Sequence, residues 1–188
     1  MGTVMGITAV SDATIRRLLA DPPLVWKLLA PDDPEPYEEA RGDSSVADGD
    51  EELDLGEGEG DHLYLDKSWH GIHYLLTGTA WKGIPPLNLL VGGGEPIGDI
   101  EVGQGPARAL TAQQVAEASR ALAALSDESI RSRFDPPAML EARIYPEIWG
   151  RPPADDDTLG YLMEHLGQLR RYLSRQASAG MGVVMSLS

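Results

Sequence analysis

The sequence contains no cysteine. Disulfide frameworks, thiol nucleophiles and thiolate zinc sites are thereby excluded, and any metal would have to be held by His, Asp and Glu. Aromatic residues are scarce, at 6% of the chain, so most of them are expected in packing. No run of about 18 apolar residues is present to span a bilayer, and the start, "MGTVMGITAVSDATIRRLL", lacks the basic and apolar blocks of a secretion signal. A cytoplasmic protein without membrane contact is the expectation. A basic stripe able to neutralise phosphates is also missing, which argues against a nucleic-acid partner. There is no "GxSxG" elbow, no serine or lysine in an activating context, and no glycine fingerprint set between a strand and a helix. No cofactor is expected on these grounds.

What is present suits one domain. At 188 residues the chain can build one core and falls short of two comfortable ones. Its net charge of −15 is concentrated rather than spread. Residues 31–61 hold 14 acidic residues against one arginine, a net of −13, whereas the rest carries 16 acidic and 14 basic residues, a net of −2. Residues 32–59 therefore read as an acidic, solvated and mobile insertion in a nearly neutral body, with "EELDL" docking locally. A solubilising role is the plainer reading of such a charge block; recruitment of a basic protein partner is the functional one.

Periodicity places the elements. "VMGITAV" reads as a strand, Ser11 caps a helix with Ile15, Leu18 and Leu19 on one face, and "PPLVWKLLAP" is a second short helix. "HLYLD" is a short strand, and further strands are expected around 99–102 and 107–110. Thr111 and Gln114 form a capping box ahead of "AQQVAEASRALAAL". Two short proline-bounded helices follow. A long helix over about 157–179 carries Leu162, Leu166, Leu169 and Leu173 at core spacing, Gly180 ends it, and "MGVVMSL" closes as a strand. The fold class that results is α+β: a single domain with a small mixed or antiparallel sheet and several helices.

The stretch "LYLDKSWHGIHYLLTG" holds two of the four histidines. On a helix over 66–78, a step of about 100° per residue puts His70, Thr77 and His73 within about 40° of Asp66. Gly71 and Ser68 leave the other side open to a close neighbour. Such a stripe supports two chemistries. His70 and His73 could share a divalent metal with a third ligand from His62, His165, Glu141 or Asp66. Alternatively one imidazole acts as general base with Asp66 orienting it. The zinc-protease glutamate is missing between the histidines, and structural hydrogen bonding beneath the sheet outweighs both.

Three further places bear weighing. In "GQGPARALT" a tight turn delivers Arg108 ahead of a capped helix, where it could bind an anion or pair with a local carboxylate. The "VGGGEPIG" run lacks the Lys-Ser/Thr of a phosphate loop and reads as a flexible turn. In "IYPEIWG", Pro146 favours an extended Tyr145, so that Tyr145 and Trp149 could line a pocket with the histidines or serve in the core. His165, near Tyr161 on the last helix, is a ligand candidate only if it meets His70 or His73.

"YLDKSWHGIHYLLTG", "GPARALTAQQV", "IYPEIW" and "GMGVVMSLS" together resemble the YfbM-like family, small bacterial proteins classed as a domain of unknown function. The resemblance covers Met1 to about Ala30 and Leu63 to Ser188. It implies a compact cytosolic α+β domain and no activity, cofactor or catalytic residue. The functional expectation from the residues is a non-enzymatic interaction or regulatory module with a polar groove beside helix 66–78. The alternative is a small hydrolase or acid-base enzyme using His70 and His73 with Asp66, with Arg108 taking an anionic substrate.

Overall fold

The first apolar run folds as strand β1 (Met5–Val10), and the Ser11 hydroxyl accepts the Thr14 N–H to start helix α1 (Asp12–Ala20) in the computed structural model, which describes residues 2–42 and 52–188. A 3₁₀ turn begun by two prolines (Pro22–Leu24) leads into α2 (Val25–Leu29). Helix α3 (Glu35–Arg41) follows, then strand β2 (His62–Tyr64), a 3₁₀ turn (Asp66–Ser68) and α4 (Trp69–Thr77). After the short strands β3 (Glu95–Pro96) and β4 (Arg108–Leu110) come α5 (Ala112–Ala123), α6 (Asp127–Arg131) and α7 (Pro136–Glu141). Helix α8 (Thr158–Ala179) runs 22 residues to Gly180, which takes a left-handed conformation, and β5 (Gly182–Leu187) closes the chain.

The five strands form one antiparallel sheet in the order β2-β1-β5-β4-β3. β5 is its centre: it pairs with β1 from Gly182 opposite Val10 to Leu187 opposite Met5, and with β4 on the other side. Strand residues alternate between faces, and both faces are covered. Met5, Ile7, Val183 and Met185 pack into a core with α4, α5 and α8, while Val10 and Val184 pack into a second core with α1, α2 and α3. The domain is single and α+β, with a sheet that is antiparallel throughout.

Two expectations change. The strand expected around 99–102 is not formed; pairing occurs at Glu95–Pro96 instead, opposite Ala109 and Arg108. Gly98, at φ +60 and packed so close to Pro22 that a Cβ would lie 2.7 Å from that ring, turns the chain off the sheet before residue 99. The acidic insertion is also more structured than a solvated loop over 32–59. Residues 35–41 are helical, and Tyr37 is buried in the second core with Lys27 Nζ 4.4 Å from its ring centre. Leu53 of "EELDL" is buried in that same core. A single aromatic and a single leucine suffice to dock these ends because their charged neighbours stay in water. Residues 43–51 of the insertion lie outside the described residues.

Helix α4 sits against α8 at Gly71, where a Cβ would come 2.6 Å from Leu162 Cδ2 and 2.8 Å from Trp149 Cη2. This is the close approach expected on that side of the helix. Replacing Gly71 by Ala adds helix propensity of roughly 1 kcal/mol, yet overpacking of this kind costs roughly 1–3 kcal/mol. Gly71→Ala is therefore expected to lower the midpoint of urea unfolding, and an unchanged or raised midpoint would show that α4 and α8 can part without cost.

Candidate functional site

Helix α4 is held at its C-terminal end. Gly78, at φ +72, caps its C-terminus with an N–H donated to Tyr74 O, and Arg133 Nη1 donates to the Leu75 and Leu76 carbonyls, each at 3.1 Å. A basic group on the last carbonyls of a helix is favourable both as donor and as charge. The chain beyond Gly78 then folds back over the helix, and the two histidines receive it.

His70 and His73 are both fully buried, at 0% exposure. The backbone N–H of Tyr145 donates to His70 Nδ1 at 3.0 Å, so the ring proton sits on Nε2 and is donated to Ala80 O at 2.7 Å. His73 Nε2 donates to Lys82 O at 3.0 Å, while its Nδ1 has no partner. Both rings are neutral for a physical reason. Burial pushes His70 below the usual imidazole value, against the pull of the Ala80 carbonyl, and pushes His73 down to about 4, against the pull of the Lys82 carbonyl. Thr77 joins the cluster, its hydroxyl donating to His73 O and accepting the Thr79 N–H. The side chain of Thr79 in turn donates to Lys82 O and accepts the Lys82 N–H, closing the loop on itself.

Asp66 does not share this stripe. It adopts φ +48, and the 3₁₀ turn at 66–68 breaks the rotation that an unbroken helix would have imposed. Its carboxylate accepts the Tyr161 hydroxyl at 2.9 Å, and burial together with that bond raises the Tyr161 phenol above its usual range. Neither histidine is oriented by it. His165 remains on α8, its Nδ1 donating to Tyr161 O and its ring 4.5 Å from that of Tyr161. His62 is bonded through Nδ1 to the Thr8 hydroxyl on the sheet, and Glu141 lies exposed at the end of α7. No group of three or more His, Asp or Glu that could hold a metal occurs among the described residues.

The remaining candidates divide. Tyr145 joins the histidine cluster by its backbone and stacks on Trp69, with ring centres 6.0 Å apart. Trp149 is core: it is 1% exposed and donates its indole N–H to Ile144 O at 2.7 Å. Arg108 pairs with no carboxylate among the described residues and is held instead by backbone. Its Nε donates to Gly93 O at 2.7 Å and its Nη2 to Gly94 O at 2.6 Å, with Gly92 O at 3.5 Å. The glycine run is thus a clasp around a guanidinium. Gly94 must be glycine, since it has φ +74 and a Cβ would lie 2.4 Å from Ala109 O.

Sequence reasoning missed Trp81 and Ile84. The loop pinned by the histidines presents them at 64% and 82% exposure, and the Trp81 ring lies 4.3 Å from that of His70. Beside Trp81 opens a pocket of about 170 Å³. Met5, Trp69, Trp81, Leu90 and Met185 give it apolar walls, and Gln104, Arg108 and Ser186 supply polar atoms. The groove beside helix 66–78 is therefore mainly apolar, because the polar stripe has turned inward onto backbone carbonyls. One sequence signal was available: residues 67–94 contain no Asp or Glu in a chain that has 30 of them.

A family model described as a domain of unknown function, DUF1877, matches residues 1–186. Among solved structures, the chain is similar to the crystal structure of YfbM from Escherichia coli, titled a protein of unknown function. The two are 18% identical with a TM-score of 0.69, over 98% of this chain and 99% of that one. No curated protein matches. Within the described residues, no helix is long and apolar enough to cross a membrane.

The neutral histidines carry a pH prediction. In an unfolded chain an imidazole titrates near 6.5, whereas His73 in the fold does so at about 4. The unfolded state binds more protons between these values, so the stabilisation is whole above 6.5 and is lost progressively as pH falls toward 4. His73→Gln keeps a donor for Lys82 O and cannot be protonated. Its melting temperature is expected to fall less than that of the native protein over that window; parallel curves would contradict the neutral, buried assignment.

Proposed function

The chain belongs to the DUF1877 family, whose description assigns no activity, and we propose that it is a non-enzymatic binding module that engages its ligand at the pocket beside α4. One observation carries this reading: both imidazoles are buried and used to anchor the 79–82 loop, which leaves an aromatic and an aliphatic side chain standing in water. Exposed tryptophan at the rim of an apolar hollow is typical of recognition surfaces. The polar groups of the cluster thus act as scaffold, and Trp81 is the contact. The hydrolase reading draws on His70, His73 and Asp66, and no specific observation favours it: the imidazoles have no exposure and the carboxylate is bonded to Tyr161.

Benzyl alcohol, a small neutral aromatic, is a suitable probe. Titration followed by amide chemical shifts is expected to give saturable changes at residues lining the pocket, such as Leu90 and Met185. Trp81→Ala should weaken that binding about tenfold, a loss of about 1.4 kcal/mol, while altering stability by less than about 1 kcal/mol because the ring is largely exposed. Shifts that do not saturate, or that ignore the substitution, would remove the pocket from the account.

A further inference from the structure

Arg108 is the one charged residue lining this pocket, and its charge is uncompensated. Three other arginines sit on carboxylates: Arg151 on Asp156, Arg170 on Asp127, Arg175 on Asp61. Arg108 has none within ion-pair distance among the described residues; its Nε and Nη2 are taken by the glycine carbonyls, and its Nη1 has no partner. A guanidinium beside apolar walls and without a counter-charge favours an anion, because its field is poorly screened there. Its geometry is set before any ligand arrives, since the clasp of Gly92, Gly93 and Gly94 fixes the plane of the fork. Gln104 also lines the pocket, and its side chain has no hydrogen-bond partner among the described residues.

The surroundings fit the same conclusion. No carboxylate lines the pocket, and residues 67–94, which supply Trp69, Trp81, Leu90 and the glycine clasp, carry two lysines and no acidic residue. The strongly acidic α3 packs in the core on the other face of the sheet. A protein with net charge −15 would otherwise repel an anion; here the local field points the other way. Size limits the rest of the ligand. A volume of about 170 Å³ is close to that of cavities that take a single benzene ring, about 150 Å³.

From this uncompensated arginine with its open Nη1, Gln104 beside it and the size of the apolar hollow, we propose that the pocket binds a small organic carboxylate. One ring or a short aliphatic body lies against Trp69, Trp81, Met5 and Met185, and the carboxylate is held at Arg108 with Gln104. The inference rests on the pocket being the binding site and adds the charge and size of what enters it.

Phenylacetate and its neutral isostere phenylacetamide test this by isothermal titration against the whole chain. Phenylacetate is expected to saturate with a Kd on the order of 1 mM or tighter, as suits about ten non-hydrogen atoms, and to bind about tenfold more tightly than phenylacetamide. Arg108→Met should erase the difference between the two ligands. Because that change also opens the glycine clasp, Val91→Phe is the second variant: it fills the pocket without touching Arg108 and should abolish binding of both. Equal affinity for acid and amide overturns the anion inference and leaves the pocket reading standing. Failure of both ligands to saturate overturns both. Retention of phenylacetate binding by Val91→Phe places the acid elsewhere and overturns the inference.

Discussion

A buried imidazole has to be neutral and has to place its one N–H on an acceptor, and much of this structure follows from meeting that condition at His70 and His73. The acceptors come from the chain that follows α4, which doubles back so that the carbonyls of Ala80 and Lys82 reach the two rings. Between those carbonyls lies Trp81, which has nowhere to go but outward, against the edge of His70. Tyr145 completes the arrangement from the opposite side by donating its backbone N–H to the remaining nitrogen of His70. One ring thus ties three segments together: α4, the loop after it, and the turn ahead of α8. The exposed tryptophan and the pocket it edges are consequences of that tie.

The parts of the fold legible in the sequence are those written in side-chain periodicity and capping chemistry. Ser11, the Thr111–Gln114 box, Gly180 and the leucines of α8 each announce a boundary or a face, and the structure has them there. Gly71 was readable as a point of close approach because glycine in a helix interior is otherwise unfavourable. What stayed hidden shares a cause: it depends on backbone carbonyls, which every residue possesses. Nothing in "VGGGEP" says that its carbonyls will enclose Arg108, and nothing in "TAWKG" says that they will meet two histidines. The positive φ at Asp66 was equally silent, and with it the transfer of that carboxylate from the histidine stripe to Tyr161. Helix α3 was obscured by its charge, since one buried tyrosine leaves little trace in a segment of net charge −13.

Charge is segregated as firmly as polarity. The exposed carboxylates of α3 belong to one face of the sheet, and the pocket beside α4 belongs to the other. A sheet of five strands between them, covered on both sides, keeps these fields apart over distances comparable with the screening length of salt water, about 8 Å. The same domain can therefore be strongly anionic as a whole and still offer a locally cationic apolar hollow. Family membership and the shared fold describe the frame; the chemistry of this chain is in what fills the frame around Trp81 and Arg108.

The place of β5 has a consequence for synthesis. Of the five strands it is the last in sequence and the middle one in space, bonded to β1 and β4 at once. Met5 meets Leu187, near the opposite end of the chain, so the pairing that joins the two halves of the sheet is among the most non-local contacts a protein of this length can make. While the chain is being made, β1 and β4 carry unpaired edges and the apolar sides of α5 and α8 have no finished sheet to cover. The nascent protein thus emerges as two half-sheets with a missing strand between them, and its window of exposure to chaperones, proteases and other nascent chains lasts until β5 has been made and supplies it.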